Sequence, residues 1–276
     1  MASCRSKAGP FKPAITASRM VFRPPFPIQM EIKLAPVLTQ ASASMQLSAV
    51  AVPFWKRFLD VSLILLASPL LLPVCALLAI AIKLLSPGPV LFRQLRVGLG
   101  GKLFQCLKFR TMIVNADTDV HQGHLSDLIK SNAPMTKLDS ADPRLIPYGR
   151  ILRSLGLDEL PQILNVLRGE MSLVGPRPCL AYEFERYLPH HRRRCDTLPG
   201  LTGLWQVSGK NRTTFEEMMD LDIHYAKNKS IWLDLLIIAK TIPAILVQTY
   251  EIRRKKSGMQ PAAFPVRRTP DRIMER

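Results

Sequence analysis

The sequence predicts an α/β protein: a compact domain of mixed helices and strands, held at a membrane by one broken apolar helix and by amphipathic helices lying at the bilayer surface. Three observations carry this expectation. Residues 58–82 form a run of 25 residues in which Asp60 is the only charge. Residues 90–112 alternate apolar and polar side chains about a Gly-rich turn, the pattern of a β-hairpin. Residues 157–169 place acids and Pro161 first, Arg168 in the last turn and Gly169 after it, the charge and capping order of an α-helix.

The elements follow in chain order. Residues 1–52 include Pro10, Pro13, Pro24, Pro25, Pro27 and Pro36 among many Ala and Ser, show no periodicity, and are expected to be a disordered basic leader, with Met30 and Met45 as alternative starts. Residues 53–85 are the membrane segment. As a helix, the apolar run would be roughly 37 Å long, enough to reach across about 30 Å of hydrocarbon, and it has no polar face to turn to water. Ser68-Pro69 and Pro73 remove two N–H donors at its middle, freeing the carbonyls near Leu65 and Pro69, and the Ser68 hydroxyl can satisfy one of them. Lys56 and Arg57 precede the run and Lys83, Arg93 and Arg96 follow it, so the positive-inside rule selects no orientation. A re-entrant hairpin and a kinked single span both remain open on these grounds.

Residues 86–250 read as the main folded domain. SPGP at 86–89 stops the apolar run and the hairpin follows; then come a helix at 113–130, a polar loop at 131–147, a short amphipathic helix at 148–155 and the helix at 157–169. Residues 231–250 are strongly apolar but carry Asp234, Lys240 and Pro243, which favours a helix lying in the interface over a second span. Residues 251–276 form a basic flexible tail.

The 276 residues are 47% apolar, which supports a real core and excludes a wholly disordered or fibrous chain. The net charge of +17 is concentrated at the ends: residues 1–52 carry six basic and one acidic side chain, and residues 250–276 carry eight and three. Such tails suit an anionic surface better than a basic groove would. Aromatics are 7% and sit in apolar runs, so a stacking platform for nucleic acid is absent from the pattern. Five scattered cysteines make no CxxC pair, which excludes a usual zinc module and argues against a secreted disulfide scaffold.

The densest chemical pattern lies in residues 152–178. Asp158 and Glu159 are adjacent carboxylates at a predicted helix N-terminus, with Arg153 and Arg177 close in sequence. One carboxylate can attack or take a proton while the other holds a divalent ion, and unpaired N–H groups favour a phosphate nearby; ordinary helix capping is the plainer alternative. Lys108 and Arg110, at i and i+2, would project from one strand face toward phosphate oxygens. Arg177 is fixed between two prolines in VGPRP. Asp117-x-Asp119 and Asp220-x-Asp222 read as solvated helix faces, His121 and His124 lack a third ligand, and GLGGK at 98–102 lacks the helix that a phosphate loop requires.

FWKRFLD with the Ser-Pro-broken run, KFRTM, DPR at 142–144, LDELPQILNVLRGEMSLVGPRP and PGLTGLWQVSGKN occur in this order over roughly residues 53–250. Together they resemble the bacterial sugar transferase family of monotopic phosphoglycosyl transferases, and the WQVSGKN block is most similar to members that start exopolysaccharides with galactose or glucose. The resemblance implies an enzyme of the bacterial inner membrane, its catalytic domain on the cytoplasmic face. It would transfer a sugar 1-phosphate from a UDP-sugar to polyprenyl (undecaprenyl) phosphate and release UMP. It further implies Asp158 as nucleophile of a phospho-aspartyl intermediate, Glu159 as a ligand of Mg²⁺, and Lys108, Arg153 and Arg177 as basic positions of the site. Lys56 and Arg57 match a pair at the membrane surface, and Ser68-Pro69 a break that makes the helix re-entrant. Gly156 and Lys210 depart from the usual Ser and Arg. Partners would be a UDP-sugar, polyprenyl phosphate and membrane lipids, not nucleic acid; a homodimer is left open. The chemistry is consistent, because a carboxylate attacking a diphosphate needs cations against anion repulsion. A non-catalytic membrane-tethered scaffold of polysaccharide assembly, the alternative, gives no reason for the carboxylate and arginine set.

Overall fold

Two prolines do not end the apolar helix. In the computed structural model, which describes residues 51–113, 131, 144–209 and 213–256, α1 runs from Phe54 to Leu85 with Pro69 and Pro73 inside it. Ser68 Oγ donates to Leu65 O at 2.8 Å, the carbonyl whose i+4 amide Pro69 removes. Only the two ends of α1 are built into the domain. Ile64 packs in a cluster with Phe104, Cys106, Val166 and Met171, while Ile82, with Cys75, Leu78 and Ala79, packs on Phe109, Ile146 and Leu152. No residue between Ile64 and Ile82 is buried, and Leu65, Leu66, Leu70 and Leu72 are exposed. The leader and most of the tail lie outside the described residues, as do the helix expected at 113–130, most of the loop at 131–147, the Asp117, Asp119, His121 and His124 positions, and Lys210.

The expected hairpin is present. β1 (Leu91–Val97) pairs antiparallel with β2 (Leu103–Phe109), Leu91 opposite Phe109 and Val97 opposite Leu103. Gly100 and Gly101, at φ 61° and 76°, make the connection in the left-handed region where other residues are strained. α2 (Gly149–Ser154) falls within the helix expected at 148–155.

Residues 157–169 depart from the single helix that their charge order predicts. A 3₁₀ turn covers Leu157–Gln162 with Pro161 inside it, and α3 occupies Ile163–Arg168 before Gly169 closes it at φ 81°. Pro161 cannot donate to a carbonyl four residues back and clashes with it, so the first turn tightens instead of starting an α-helix. Asp158 and Glu159 therefore sit on a tight turn, not at the N-terminus of a long helix.

Two short strands were not apparent in the sequence: β3 (Ser172–Val174) and β4 (Gly200–Thr202) pair in parallel, Ser172 opposite Gly200. Between them lie α4 (Ala181–Glu185) and a 3₁₀ turn at His191–Cys195; α5 (Leu204–Val207), α6 (Phe215–Asn228) and α7 (Ile231–Lys256) follow. Thr214 caps α6 reciprocally with Glu217. α7 extends past the 231–250 segment; it buries Asp234 and Ile237 and exposes Trp232, Ile242, Leu246 and Tyr250.

One ammonium joins these parts. Lys56 Nζ donates to Val174 O at 2.9 Å, Tyr225 Oη at 2.8 Å and Asp234 Oδ2 at 2.6 Å, and Tyr225 Oη donates to Asp234 Oδ1 at 2.6 Å. Burial, then the Asp234 charge, pushes the Tyr225 phenol well above its ordinary pKa, so it stays a donor. Asp60 Oδ1, one turn on from Lys56, accepts from Ser172 Oγ and Leu173 N, both at 3.0 Å. Arg57 Nη1 and Nη2 donate to Val166 O and Leu167 O in the last turn of α3. Lys56, expected with Arg57 at the membrane surface, is thus spent inside the protein at 1% exposed, while Arg57 is half-buried on the end of α3. Replacing Lys56 by Met leaves Asp234 buried without its cation and is expected to destabilise by about 3–5 kcal/mol. Thermal unfolding in detergent measures this, and Lys56→Met with Asp234→Asn should recover part of the loss.

Candidate active site

The VGPRP and PGLTG segments interlock through glycine. A Cβ on Gly200 would stand 2.1 Å from Gly175 N, and one on Gly175 would stand 2.3 Å from Leu198 O. The backbones cross with no room for a side chain, and the crossing is pinned by Gly175 N to Thr202 O and Gly200 N to Pro176 O, both at 2.9 Å. Two arginines hold the carbonyls that follow. Arg194 Nη2 donates to Arg177 O at 3.0 Å, and Arg96 Nη1 donates to Pro178 O at 2.6 Å. With its own carbonyl and its two proline neighbours held, Arg177 presents its side chain to a cleft from a fixed backbone.

The opposite wall is set by Asn165, which is fully buried and acts as an extra strand partner. Leu107 N donates to Asn165 Oδ1 at 3.0 Å, and Asn165 Nδ2 donates to Gln105 O at 2.7 Å. This docks α3 against β2, and with it the 3₁₀ turn that carries the carboxylates. Lys108 Nζ then reaches Glu159 Oε1 at 3.0 Å. The cleft is lined by Arg96, Cys106, Lys108, Glu159, Gln162, Arg177, Pro178, Gly200, Leu201 and Gln206.

Of the residues predicted from sequence, the fold brings Lys108, Glu159 and Arg177 to one cleft. Asp158 is the adjoining residue of the turn, 8% exposed. Arg153 ends α2, half-buried, and is not part of the cleft wall. Arg110 requires a correction. It lies just past the end of β2, is buried, and donates from Nη1 to Pro87 O at 2.7 Å and from Nη2 to Ser86 O at 2.8 Å. Its guanidinium ties the exit of α1 to the hairpin and does not share the cleft with Lys108. Asp222 also differs from the solvated reading: it is buried and ion-paired to Arg194. Arg194 donates as well to Tyr187 Oη at 2.7 Å, so this pair braces Arg177 from behind.

Sequence reasoning missed Arg96, Gln162 and Gln206. The two glutamines stand inside quoted blocks, LPQ and LWQ, but nothing in their spacing marks them. Gln206 Oε1 is a buried acceptor with no hydrogen-bond partner among the described residues. Burial, then the neighbouring Arg177 charge, lowers the Arg96 pKa. Burial raises that of Cys106 against the pull of Lys108, so its thiol is no competing nucleophile. Tyr182 is raised to about 12, mainly by burial, and its hydroxyl has no hydrogen-bond partner among the described residues.

Three cations and a carboxylate lining one cleft, on a domain carrying a long exposed apolar helix, make a site suited to anions. The chain belongs to the bacterial sugar transferase family, whose sequence profile matches residues 51–248. It is 45% identical over 209 residues, 72% of this chain and 73% of the relative, to the UDP-glucose:undecaprenyl-phosphate glucose-1-phosphate transferase of Caulobacter vibrioides. It is 41% identical over 196 residues, 69% of this chain and 84% of the relative, to the exopolysaccharide production protein ExoY of Sinorhizobium fredii. The undecaprenyl-phosphate galactose phosphotransferase of Salmonella typhimurium is 42% identical over 166 residues, 58% of this chain and 34% of that longer protein.

Gly200→Ala tests the crossing. The new methyl meets backbone, not a flexible side chain, so the two loops must part. Overpacking of this kind costs about 1–3 kcal/mol or more, and the expected result is a lower melting temperature with loss of transfer activity; wild-type behaviour would mean that the crossing can relax.

Proposed function

We propose that this protein transfers a sugar 1-phosphate, of glucose or galactose, from a UDP-sugar to undecaprenyl phosphate, starting an exopolysaccharide. The observation that carries this reading is the convergence of Lys108, Glu159 and Arg177 on one cleft beside Asp158. Relatives named for this transfer use different sugars, glucose in one case and galactose in another, so a panel of UDP-sugars assayed with polyprenyl phosphate decides the donor.

In this reading the Asp158 carboxylate attacks the β-phosphorus of the donor. The bond from that phosphorus to the bridging oxygen breaks, and UMP leaves with the electron pair. An oxygen of the lipid phosphate then attacks the same phosphorus, and Asp158 leaves as carboxylate. Splitting the transfer lets a water-soluble donor and a lipid acceptor use one site in turn. Arg177 and Lys108 neutralise the phosphates, and Arg177, as a planar fork on a fixed backbone, orients them. The low exposure of Asp158 restricts water from reaching the acyl phosphate. Glu159 and Gln206 Oε1, which has no hydrogen-bond partner among the described residues, are hard oxygen donors and fit Mg²⁺. Bound there, the ion would supply further charge neutralisation at the diphosphate.

The membrane segment is proposed to be re-entrant, entering and leaving on the cytoplasmic face of the inner membrane. Support comes from the packing of both ends of α1 on one domain while the stretch around Ser68-Pro69 is exposed. The outward face of α7, with Trp232, Ile242 and Leu246, suits the interface. Cysteine labels near positions 50 and 90 should both react from the cytoplasmic side alone; periplasmic labelling near position 50 would establish a span instead.

Asp158→Asn removes the attacking oxygen. The enzyme given donor alone should then form no phospho-sugar adduct, and UMP release should be abolished. Glu159→Gln should keep a residual activity that rises with added Mg²⁺. Mass spectrometry of the wild-type enzyme trapped with donor decides the scheme: an adduct on the Asp158 peptide supports two-step transfer. An active enzyme that forms no adduct and requires both substrates together points to direct attack by the lipid phosphate.

A further inference from the structure

The 3₁₀ turn at His191–Cys195 meets the first turn of α6 at a group of side chains that the transfer chemistry does not use. His190, His191 and Glu216 each offer a ligand atom, and these atoms all lie within 4.8 Å of one another. His191 Nε2 and Glu216 Oε2 are 3.1 Å apart. The His190 and His191 rings have centroids 4.0 Å apart. We propose that His190, His191 and Glu216 bind one divalent transition-metal ion of the zinc type, joining the turn to α6.

The donor set selects the ion. Two imidazoles and one carboxylate suit Zn²⁺ and its neighbours, whereas Mg²⁺ takes oxygen ligands. Geometry is close to what such an ion requires. Zinc bonds of 2.0–2.1 Å at tetrahedral angles put ligand atoms about 3.3 Å apart, a separation that His191 and Glu216 already approach. His190 and Glu216 are exposed and can close the remaining distance by side-chain rotation, while His191 is 3% exposed. Its ring is held edge-on by Tyr187 and Phe215, with centroids at 6.2 and 5.5 Å. One rigid ligand and two adaptable ones are the makings of a three-residue site that water completes. The nearby Arg192 guanidinium, which would oppose a cation, is drawn onto the Phe184 ring 5.2 Å away.

The position gives the ion a consequence. The same turn carries Arg194, which holds Arg177 O and pairs with Asp222 of α6. A metal at His190, His191 and Glu216 adds a second join between these two elements. It is structural, and it is independent of the transfer reaction.

The test uses the full chain in detergent, free of any histidine tag, with Zn²⁺ titrated against a chromophoric chelator. One zinc per chain is expected. His190→Ala and Glu216→Gln, both at exposed positions, should each weaken binding by roughly 10-fold or more. At equal zinc concentration the melting temperature of the wild type should rise more than that of either variant, and X-ray absorption of the zinc-loaded protein should show imidazole ligands. UMP release with Mg²⁺ should be the same in His190→Ala as in the wild type. The proposal is overturned if the wild type holds no zinc, or if both variants hold it as tightly. Zinc that excess Mg²⁺ displaces equally from the wild type and from His190→Ala sits at the Asp158–Glu159 turn and overturns it as well.

Discussion

The buried ammonium of Lys56 is the constraint on which the rest of the structure depends. A lysine removed from water must have each of its three donors satisfied and its charge paired. Here a strand carbonyl, a phenol and a carboxylate do so, drawn from β3, α6 and α7. One side chain near the start of the apolar helix therefore fixes the strand that runs straight into Gly175 and Arg177. The placement of the apolar helix and that of Arg177 are parts of one packing problem. A shift of α1 along its axis would move β3, and the crossing with β4 has no slack to absorb it.

What was legible in the sequence was local. The hairpin follows from alternation and glycine, and the Ser68 hydrogen bond to Leu65 follows from knowing which carbonyl Pro69 strands. Lys108, Glu159 and Arg177 were legible as a set through the motif blocks that carry them and the family those blocks resemble; each alone admits a plainer reading. What failed depended on partners distant in sequence. Lys56 reads as a headgroup contact until Asp234, 178 residues away, is brought to it. Arg110 reads as a phosphate ligand because i and i+2 share a strand face, but β2 ends at Phe109 and the side chain turns to the exit of α1. Asp222 reads as solvated until Arg194 is found behind it. The helix at 157–169 failed for a local reason: charge order marked its ends, but Pro161 set the geometry of its first turn.

The arginines divide into two kinds, and the division explains how so irregular a domain holds its shape. Its described sheets have two strands each, and its loops are rich in proline. Every proline removes an amide donor and leaves a carbonyl acceptor, so buried loop carbonyls lack the partners that a larger sheet would provide. Guanidinium groups make up the deficit. Arg96 serves Pro178, Arg110 serves Ser86 and Pro87, Arg194 serves Arg177, and Arg57 serves Val166 and Leu167. Each is a multi-donor fork; at Val166 O it adds to the Gly169 amide, which already donates there at 3.0 Å.

This division alters what the net charge means. A count of +17 invites the idea of a surface uniformly attractive to anions, yet several of these cations are buried and already bonded to carbonyl oxygen. Those near the cleft still act at a distance. Arg96 already spends one N–H of each nitrogen on Pro178 O and Gln94, but its charge remains beside Arg177, and two guanidinium groups held together in a poorly solvated place repel. An anion between them and Lys108 relieves that repulsion, so the cations that keep the proline loops in shape also make the empty cleft electrostatically unfavourable and the occupied one favourable.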